Sequence, residues 1–462
     1  MRAVLAQILS SLDGAVLHNA VDDDIAFSGV STDSRSVAAG ALFVALRGDV
    51  FDAHSFLLQV AQRGVVAVVV EELPAGWTLP AIVVPNTLVA LGQIANYWRR
   101  QFALPVIGVT GSNGKTTVKE MIASILAAAY GDQGRLATRG NLNNEIGVPL
   151  TLLRMDAAQR AAVIELGMNH PGEIARLSAI AMPTVAMVNN AQREHQEFMH
   201  TVEAVARENG AVLQSLAADG IAVFPHDDEF SPLWRELSAG RAVVSFGLGA
   251  GADVGCTYLA GDFGSDLAVT IGPQAAPVRF DVALQAAGEH NVRNALAAIA
   301  CTYAAGVPVD AIRIGLDAFA PVSGRLQKKA AANGAVVIDD SYNANPDSVR
   351  AAIDVLAKAA PPRVLVLGDM GEVGTQGREF HQEIGAYAQS KGIEQVLVTG
   401  ELARHMNGAS IHHFEQFDAL LAAVDAAVTS TATVLIKGSR FMKMERVVQH
   451  LIGLQQANKE SH

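Results

Sequence analysis

The segment Gly111-Ser112-Asn113-Gly114-Lys115-Thr116-Thr117 gathers the residue types that a phosphate loop needs. Glycines let backbone N–H groups turn towards phosphate oxygens, and a helix opening behind them adds partial positive charge. Lys115 has the reach for β- and γ-phosphates, and the Thr116 hydroxyl can ligate Mg²⁺. One position is off the common pattern: Val109 stands where the strict motif has its first glycine, and the nearest glycines are Gly108 and Gly111. A plain strand–helix turn is the competing reading, and the Gly-Lys-Thr triplet argues against it.

A phosphate loop alone does not name a reaction. A GTPase would carry an Asn-Lys-x-Asp segment to read its base, and none occurs. A motor or transport ATPase would carry an apolar strand ending in Asp; the candidate here, "AAVIELG", ends in Glu165. Asn291 and Asn294 share one helix face by their i, i+3 spacing. Asp340 closes a strand and the segment from Tyr342 to Pro346 follows it, where α/β sheets usually bind ligands. Capping residues and a turn would explain these equally well. Asn141, Asn143 and Asn144 read either as a polar channel lining or as a turn rich in side-chain hydrogen bonds.

These residues need strands and helices to hold them. "PVIGVT" reads as a buried strand before the loop, and Lys115 to Tyr130 has helical periodicity. "AAVIELG", "TVAMVNN" and "GIAVFP" are further strands with helical segments between, which argues for a mainly parallel α/β sheet. Short strands with Gly and Pro over 241–282 suggest an added β region, and "EHNVRNALAAIACTYAAG" returns to helix. After an interruption at "FAPVSGR" the alternation restarts with "AVVIDDS", "RVLVLGD", "QVLVTG" and "TVLIKG", a second open α/β unit. Ahead of the loop, "GALFVALRG" and "GVVAVVVEE" read as strands and "LVALGQIANYWRRQF" as a helix. The resulting domains are 1–100, 101–320 and 321–462, as expected for 462 residues.

The formal net charge of −12 disfavours a general nucleic-acid binder. Two cysteines, Cys256 and Cys301, make neither a disulfide framework nor a metal cluster and fit a reducing cytosol. The opening "MRAVLAQILSSLDGAVL" reads as an amphipathic helix, its apolar run broken by Gln7 and Ser10-Ser11 as an export signal's would not be. No apolar run is long enough to span a bilayer.

Several segments together carry a resemblance. "TGSNGKTT", "GNLNNEIGVPL", "VIELGMNHPGEI", "GEHNVRNALAA", "SGR", "IDDSYNANPDS", "LGDMGEVG" and "LIKGSR" resemble the Mur ligase family, in family order. "STDSRSVAAGALFVALRGDVFDAHSF" is similar to its uridine-nucleotide domain, and the shifted phosphate loop is the family's own variant. The implied fold is α/β in three domains: a small N-terminal nucleotide-sugar domain, a central P-loop ATPase domain with a parallel sheet and added β region, and a C-terminal Rossmann-like domain. Within the family, "DDSYNANPDS" resembles the member that adds the terminal dipeptide. The member acting before it carries Asp-Asn-Pro-Arg for a diamino acid, which is absent here.

The resemblance implies an ADP-forming amide ligase that joins D-alanyl-D-alanine to UDP-N-acetylmuramoyl-tripeptide through an acyl phosphate, in the cytoplasm, as a monomer. It implies ATP and two Mg²⁺ ions. Lys115, Glu165 and His195 would be catalytic, with Thr116, Glu165 and His195 on metal. ATP would meet Gly111 to Thr117, Asn291, Asn294, Arg325, Asp340, Tyr342, Asn343 and Asn345. Ser34 and Arg35 would meet the uridine diphosphate; Asn141, Asn143, Asn144, Lys437, Ser439 and Arg440 would meet the rest of the substrates. One departure stands out: the family's carbamylated lysine matches Asn209, and no lysine lies between Lys119 and Lys328. A carbamate-free second metal site is expected, with Glu208 or a water on Asn209 as stand-in. Two rival readings remain: the preceding ligase, adding one diamino acid, and a P-loop switch or transport ATPase working through a protein partner.

Overall fold

The computed structural model describes residues 1–20, 24–48, 50–194, 196–272 and 275–453. Three main sheets follow one another along the chain. The first has five strands in the order Val16–His18, Ala81–Val83, Ala67–Val70, Leu42–Val44, Val30–Ser31, parallel except for the first pair. The central sheet has nine strands. Its parallel part runs Arg135–Ala137, Ala161–Glu165, Val106–Thr110, Val185–Val188, Ile221–Pro225, Ala242–Phe246 and Val254–Ala260. Ser265–Ile271 and Val278–Leu284 extend it antiparallel. The expected added β region is thus the far edge of the same sheet. The third sheet runs Gln327–Ala330, Val336–Asp340, Thr433–Lys437, Arg363–Leu367, Gln395–Thr399 and Ile411–Phe414, parallel apart from its first pair.

The phosphate-loop strand, Val106–Thr110, is buried at every residue because it sits mid-sheet between two parallel neighbours. A run of β-branched residues suits such a doubly covered position. Helix Lys115–Tyr130 packs with Glu289–Ala304 and Val309–Asp317. Helices Glu173–Ala181 and Val202–Gln214 pack together, and Val202–Gln214 lies against the neighbouring strand Val185–Val188.

The first two units share an apolar core. One cluster runs from Leu5 and Ile8 through Leu91 and Ile94 to Ile164, Leu213 and Trp234. Helix Thr87–Arg99 is its bridge, and Arg99, Asn96 and Trp98 donate across the seam to the carbonyls of Ala181, Ala179 and Met155. The opening segment differs from the helix expected of it. It forms strand Arg2–Val4, a five-residue helix Leu5–Leu9 and strand Val16–His18. Ser10-Ser11 and Gly14, at φ 65°, end the helix, while Leu5 and Ile8 anchor it in the shared core.

Candidate active site

The phosphate loop leaves its strand at Gly111, where φ is +127° and an added Cβ would lie 2.9 Å from Asn189 Cβ. Only glycine fits such an approach. Gly114 begins the helix at φ +83°, and a Cβ there would strike Asn294 Oδ1 and Asn189 Nδ2. Side-chain amides hold the loop from behind. Asn209 Oδ1 accepts from Gly111 N–H at 2.9 Å, and Asn190 Oδ1 accepts from Asn113 N–H at 2.9 Å. Asn189 Nδ2 donates to Asn113 O at 2.7 Å and to Asn294 Oδ1 at 2.9 Å. Gln192 meets Ser112 Oγ and Asn113 Nδ2.

Within this frame Lys115 Nζ pairs with Glu194 at 3.0 Å and donates to the carbonyls of Gly111 and Ser112. The Thr116 hydroxyl donates to Glu165 Oε1 at 3.2 Å and accepts from Arg325 Nη2 at 2.9 Å. Asn143 Nδ2 also donates to Glu165 Oε1, at 2.9 Å. Glu165 is 2% exposed, and its Oε2 is buried with no hydrogen-bond partner. An orphaned carboxylate oxygen beside a threonine hydroxyl is a donor set that suits a hard cation such as Mg²⁺. Among the described residues, no three His, Cys, Asp or Glu side chains gather as a metal cluster. His195 lies outside the described residues.

A cleft of about 820 Å³ opens in front of the loop. It brings together Ser112 to Thr117, Asn141, Asn143, Asn144, Glu165, Asn291, Asn294, Arg325, Asp340, Tyr342, Asn343, Asn345 and Lys437. Several of these side chains already have structural duties. Asn144 Oδ1 accepts from Gly147 N–H at the start of helix Gly147–Leu152. Asn291 donates to Ala287 O, and Asn294 donates to Asn291 Oδ1. Lys437 is buried against Asp340 at 2.6 Å and donates to Asn343 O at 2.8 Å. Burial pushes the Asp340 carboxyl up, against the pull of Lys437. Arg325 lies over the Tyr342 ring, 4.3 Å from its centroid. Asn345 caps helix Pro346–Leu356 through Ser348 N–H and exchanges amide hydrogen bonds with Asn113, at 2.9 and 3.3 Å.

Other expected residues lie elsewhere. Gly111 sits behind the cleft. Ser34 is buried in the first unit, while Arg35 is solvent-facing and pairs with Asp33 at 2.9 Å. Ser439 Oγ accepts from Gly371 N–H and donates to Ala344 O. Arg440 pairs with Glu445 at 3.1 Å. Glu208 accepts from the N–H groups of Gly172 and Ile174 through its two carboxylate oxygens, at the start of helix Glu173–Ala181. Residues unsuspected from sequence include Asn189, Asn190, Gln192 and Glu194. Their signal was positional, since they follow the strand beside the phosphate loop. His290 also lines the cleft, and burial holds its pKa down at about 4, so the ring is neutral near pH 7.

Three family descriptions match the chain: the Mur ligase family catalytic domain over 26–99, the Mur ligase middle domain over 109–302, and the Mur ligase glutamate ligase domain over 324–440. The UDP-N-acetylmuramoyl-tripeptide–D-alanyl-D-alanine ligase of Escherichia coli (strain K12) is 38% identical, covering 93% of this chain and 94% of its own. A solved structure of MurF from Acinetobacter baumannii superposes with a TM-score of 0.91 at 34% identity, over 98% of this chain and 99% of its own. A second structure from that organism, titled UDP-N-acetylmuramoylalanyl-D-glutamyl-2,6-diaminopimelate–D-alanyl-D-alanyl ligase, gives 0.87 at 34%, with 98% and 99% covered. With matched domains, chain-long identity and the same three-sheet fold, the chain belongs to the Mur ligase family.

Proposed function

We propose that this chain is an ATP-dependent, ADP-forming ligase that joins D-alanyl-D-alanine to UDP-N-acetylmuramoyl-tripeptide. The observation that carries the reading is the convergence on one cleft of a phosphate loop, the orphaned Glu165 oxygen and the Arg325–Asn345 segment of the third unit. The tripeptide carboxylate attacks the γ-phosphorus and ADP leaves; the dipeptide amine then attacks the acyl carbon and phosphate departs. Loop N–H groups and Lys115 hold the phosphates, which requires Lys115 to exchange Glu194 for phosphate oxygens. Thr116 and Glu165 would hold Mg²⁺, which neutralises charge on the transferring phosphoryl group. Arg325 reaches the same point from the third unit, where closure excludes water from the acyl phosphate. Asn291, Asn294, Asp340, Tyr342 and Asn343 surround the rest of the nucleotide, and Asn141, Asn143 and Asn144 face the peptide.

His195 is assigned to a second Mg²⁺ site without a carbamylated lysine. The chain offers no lysine there, and the Asn209 carbonyl oxygen is engaged by the phosphate loop. Turnover that depended on added CO₂ would overturn this. Ser34 and Arg35 are assigned to the uridine diphosphate, and Ser439 and Arg440 to the dipeptide end. The relative titled for diaminopimelate favours that residue in third place of the acceptor, testable by comparing it with lysine. The domain limits 1–100, 101–320 and 321–462, a monomeric state and a cytoplasmic setting complete the proposal. Among the described residues no helix is long and apolar enough to cross a membrane.

The test is ADP release with the UDP-linked tripeptide and D-alanyl-D-alanine supplied singly and together. Turnover only with both, with a pentapeptide product, is expected. Turnover with neither would indicate a switch or transport ATPase. Use of the shorter precursor with a single diamino acid would indicate the preceding ligase.

A further inference from the structure

The loop 189–194 faces two ways. Inward, it carries the groups that shape the phosphate loop: Asn189 and Asn190 on Asn113, Gln192 on Ser112 and Asn113, and Glu194 on Lys115. Outward, Arg193 grips the third unit. Its backbone N–H donates to Asp347 Oδ2 at 2.9 Å, and its guanidinium donates to both Asp347 oxygens at 2.6–3.2 Å. The other arm reaches Glu383 at 2.8 Å, and the guanidinium carbon lies 5.1 Å from the Phe380 ring centroid. Arg193 is about three-quarters buried there, and Arg350 braces Glu383 from the far side at 2.9 Å. Burial works against the charge, but the two carboxylates outweigh it and raise the Arg193 pKa above its usual value. Asp347 lies two residues beyond Asn345, whose amide pairs with Asn113 of the phosphate loop.

We propose that Arg193 is a positioning residue that couples docking of the third unit to the arrangement of the phosphate loop. It touches neither nucleotide nor peptide in this scheme. Its partners all lie in one helix pair of the third unit, Pro346–Leu356 and Gly377–Ser390, so docking of that pair is what it senses. An arginine fork gripping a carboxylate through two oxygens fixes orientation as well as distance. The neighbouring residues on the loop then carry that orientation to Ser112, Asn113 and Lys115. The phosphate loop's own fold is held inside the central unit, by Asn189 and Asn190 just past strand Val185–Val188 and by Asn209 on helix Val202–Gln214.

The inference rests on the proposed ligase reaction, and pentapeptide formation by the unaltered protein checks that reaction separately. The variants are Arg193→Met, which keeps length without charge, Arg193→Lys, and Asp347→Asn from the opposite side. Fluorophores on the central and third units report their separation by energy transfer, ADP affinity is read by calorimetry, and kcat and KM are read by pentapeptide release. For Arg193→Met the expected result is a wider separation, ADP affinity within twofold and kcat lowered about tenfold. Asp347→Asn should give a milder form of the same pattern. In a double-mutant cycle, the Arg193→Met and Asp347→Asn effects on kcat should fall short of additive. Unchanged separation with lowered kcat would overturn the proposal, as would a wider separation with unchanged kcat, or additive effects in the cycle. If Arg193→Met does not fold, Arg193→Lys and Asp347→Asn carry the same readouts.

Discussion

Replacing Glu165 by Gln separates a functional carboxylate from a structural one. The substitution keeps size, and the Gln carbonyl can accept from Thr116 and Asn143 as Glu165 Oε1 does. Its NH₂ group then occupies the place of Oε2, which is buried without a partner. An unpaired buried donor costs about 1–3 kcal/mol. Against that, removing a buried carboxylate relieves a desolvation penalty of several kcal/mol. The two effects oppose each other, so the melting temperature should stay level or rise. Activity should respond differently. Losing one preorganised group that stabilises transition-state charge costs about 10²–10³ in rate, or roughly 3–4 kcal/mol. The paired assay is pentapeptide formation at saturating substrates beside a thermal melt, repeated across a Mg²⁺ titration. Glu165→Gln should lower kcat at least a hundredfold, need more Mg²⁺ and melt no earlier. A loss under tenfold, or a fall in melting temperature in step with activity, would refute the metal-holding role.

Further outcomes follow from the same geometry. Lys437→Met should destabilise the third unit by about 3–5 kcal/mol in urea, because Asp340 loses the cation that compensates its burial; adding Asp340→Asn should recover much of this. Gly114→Ala should abolish ADP binding by calorimetry, since φ +83° strains an alanine by about 1–2 kcal/mol and its Cβ would strike two asparagine amides. His290 is held at about 4 in the folded chain against about 6.5 unfolded. Its stabilising share is therefore intact above about pH 6.5 and lost as pH falls towards 4, because the unfolded chain takes up the proton first. His290→Gln should flatten the fall in urea midpoint between pH 7 and 5.

Residues whose role depends on local chain geometry were legible in the sequence. The phosphate loop follows a buried strand and opens a helix, and the strand ends at Glu165 and Asp340 reveal themselves through apolar runs that stop at a carboxylate. Roles set by long-range pairing were not legible. Asn209 reads as a gap in a lysine pattern, yet it anchors Gly111, 98 residues away. Arg193 looks like an ordinary surface charge until helix Pro346–Leu356 lies against it. Strands Arg135–Ala137 and Ile411–Phe414 escaped notice because three or four residues carry too little periodicity, and only their neighbours in the sheet define them. Lys437 was expected to face the cleft, and it lines that cleft, but its ammonium is spent on Asp340.

The apolar cluster that runs from Leu5 to Trp234 has a consequence for synthesis on the ribosome. The first unit cannot complete its core when its own last strand emerges, because Ile164, Leu213 and Trp234 are still unmade. Roughly half the chain must be exposed before that surface closes, and until then Leu91 and Ile94 on the bridging helix present an open apolar face. A nascent chain stalled before Trp234 is thus a natural client for a holding chaperone. The third unit meets the central one through ion pairs and amides around Arg193 and Asn345, and through Ala287 and Phe263 of the central unit, which pack into its apolar cluster. It can emerge last and dock onto a partner that is already finished.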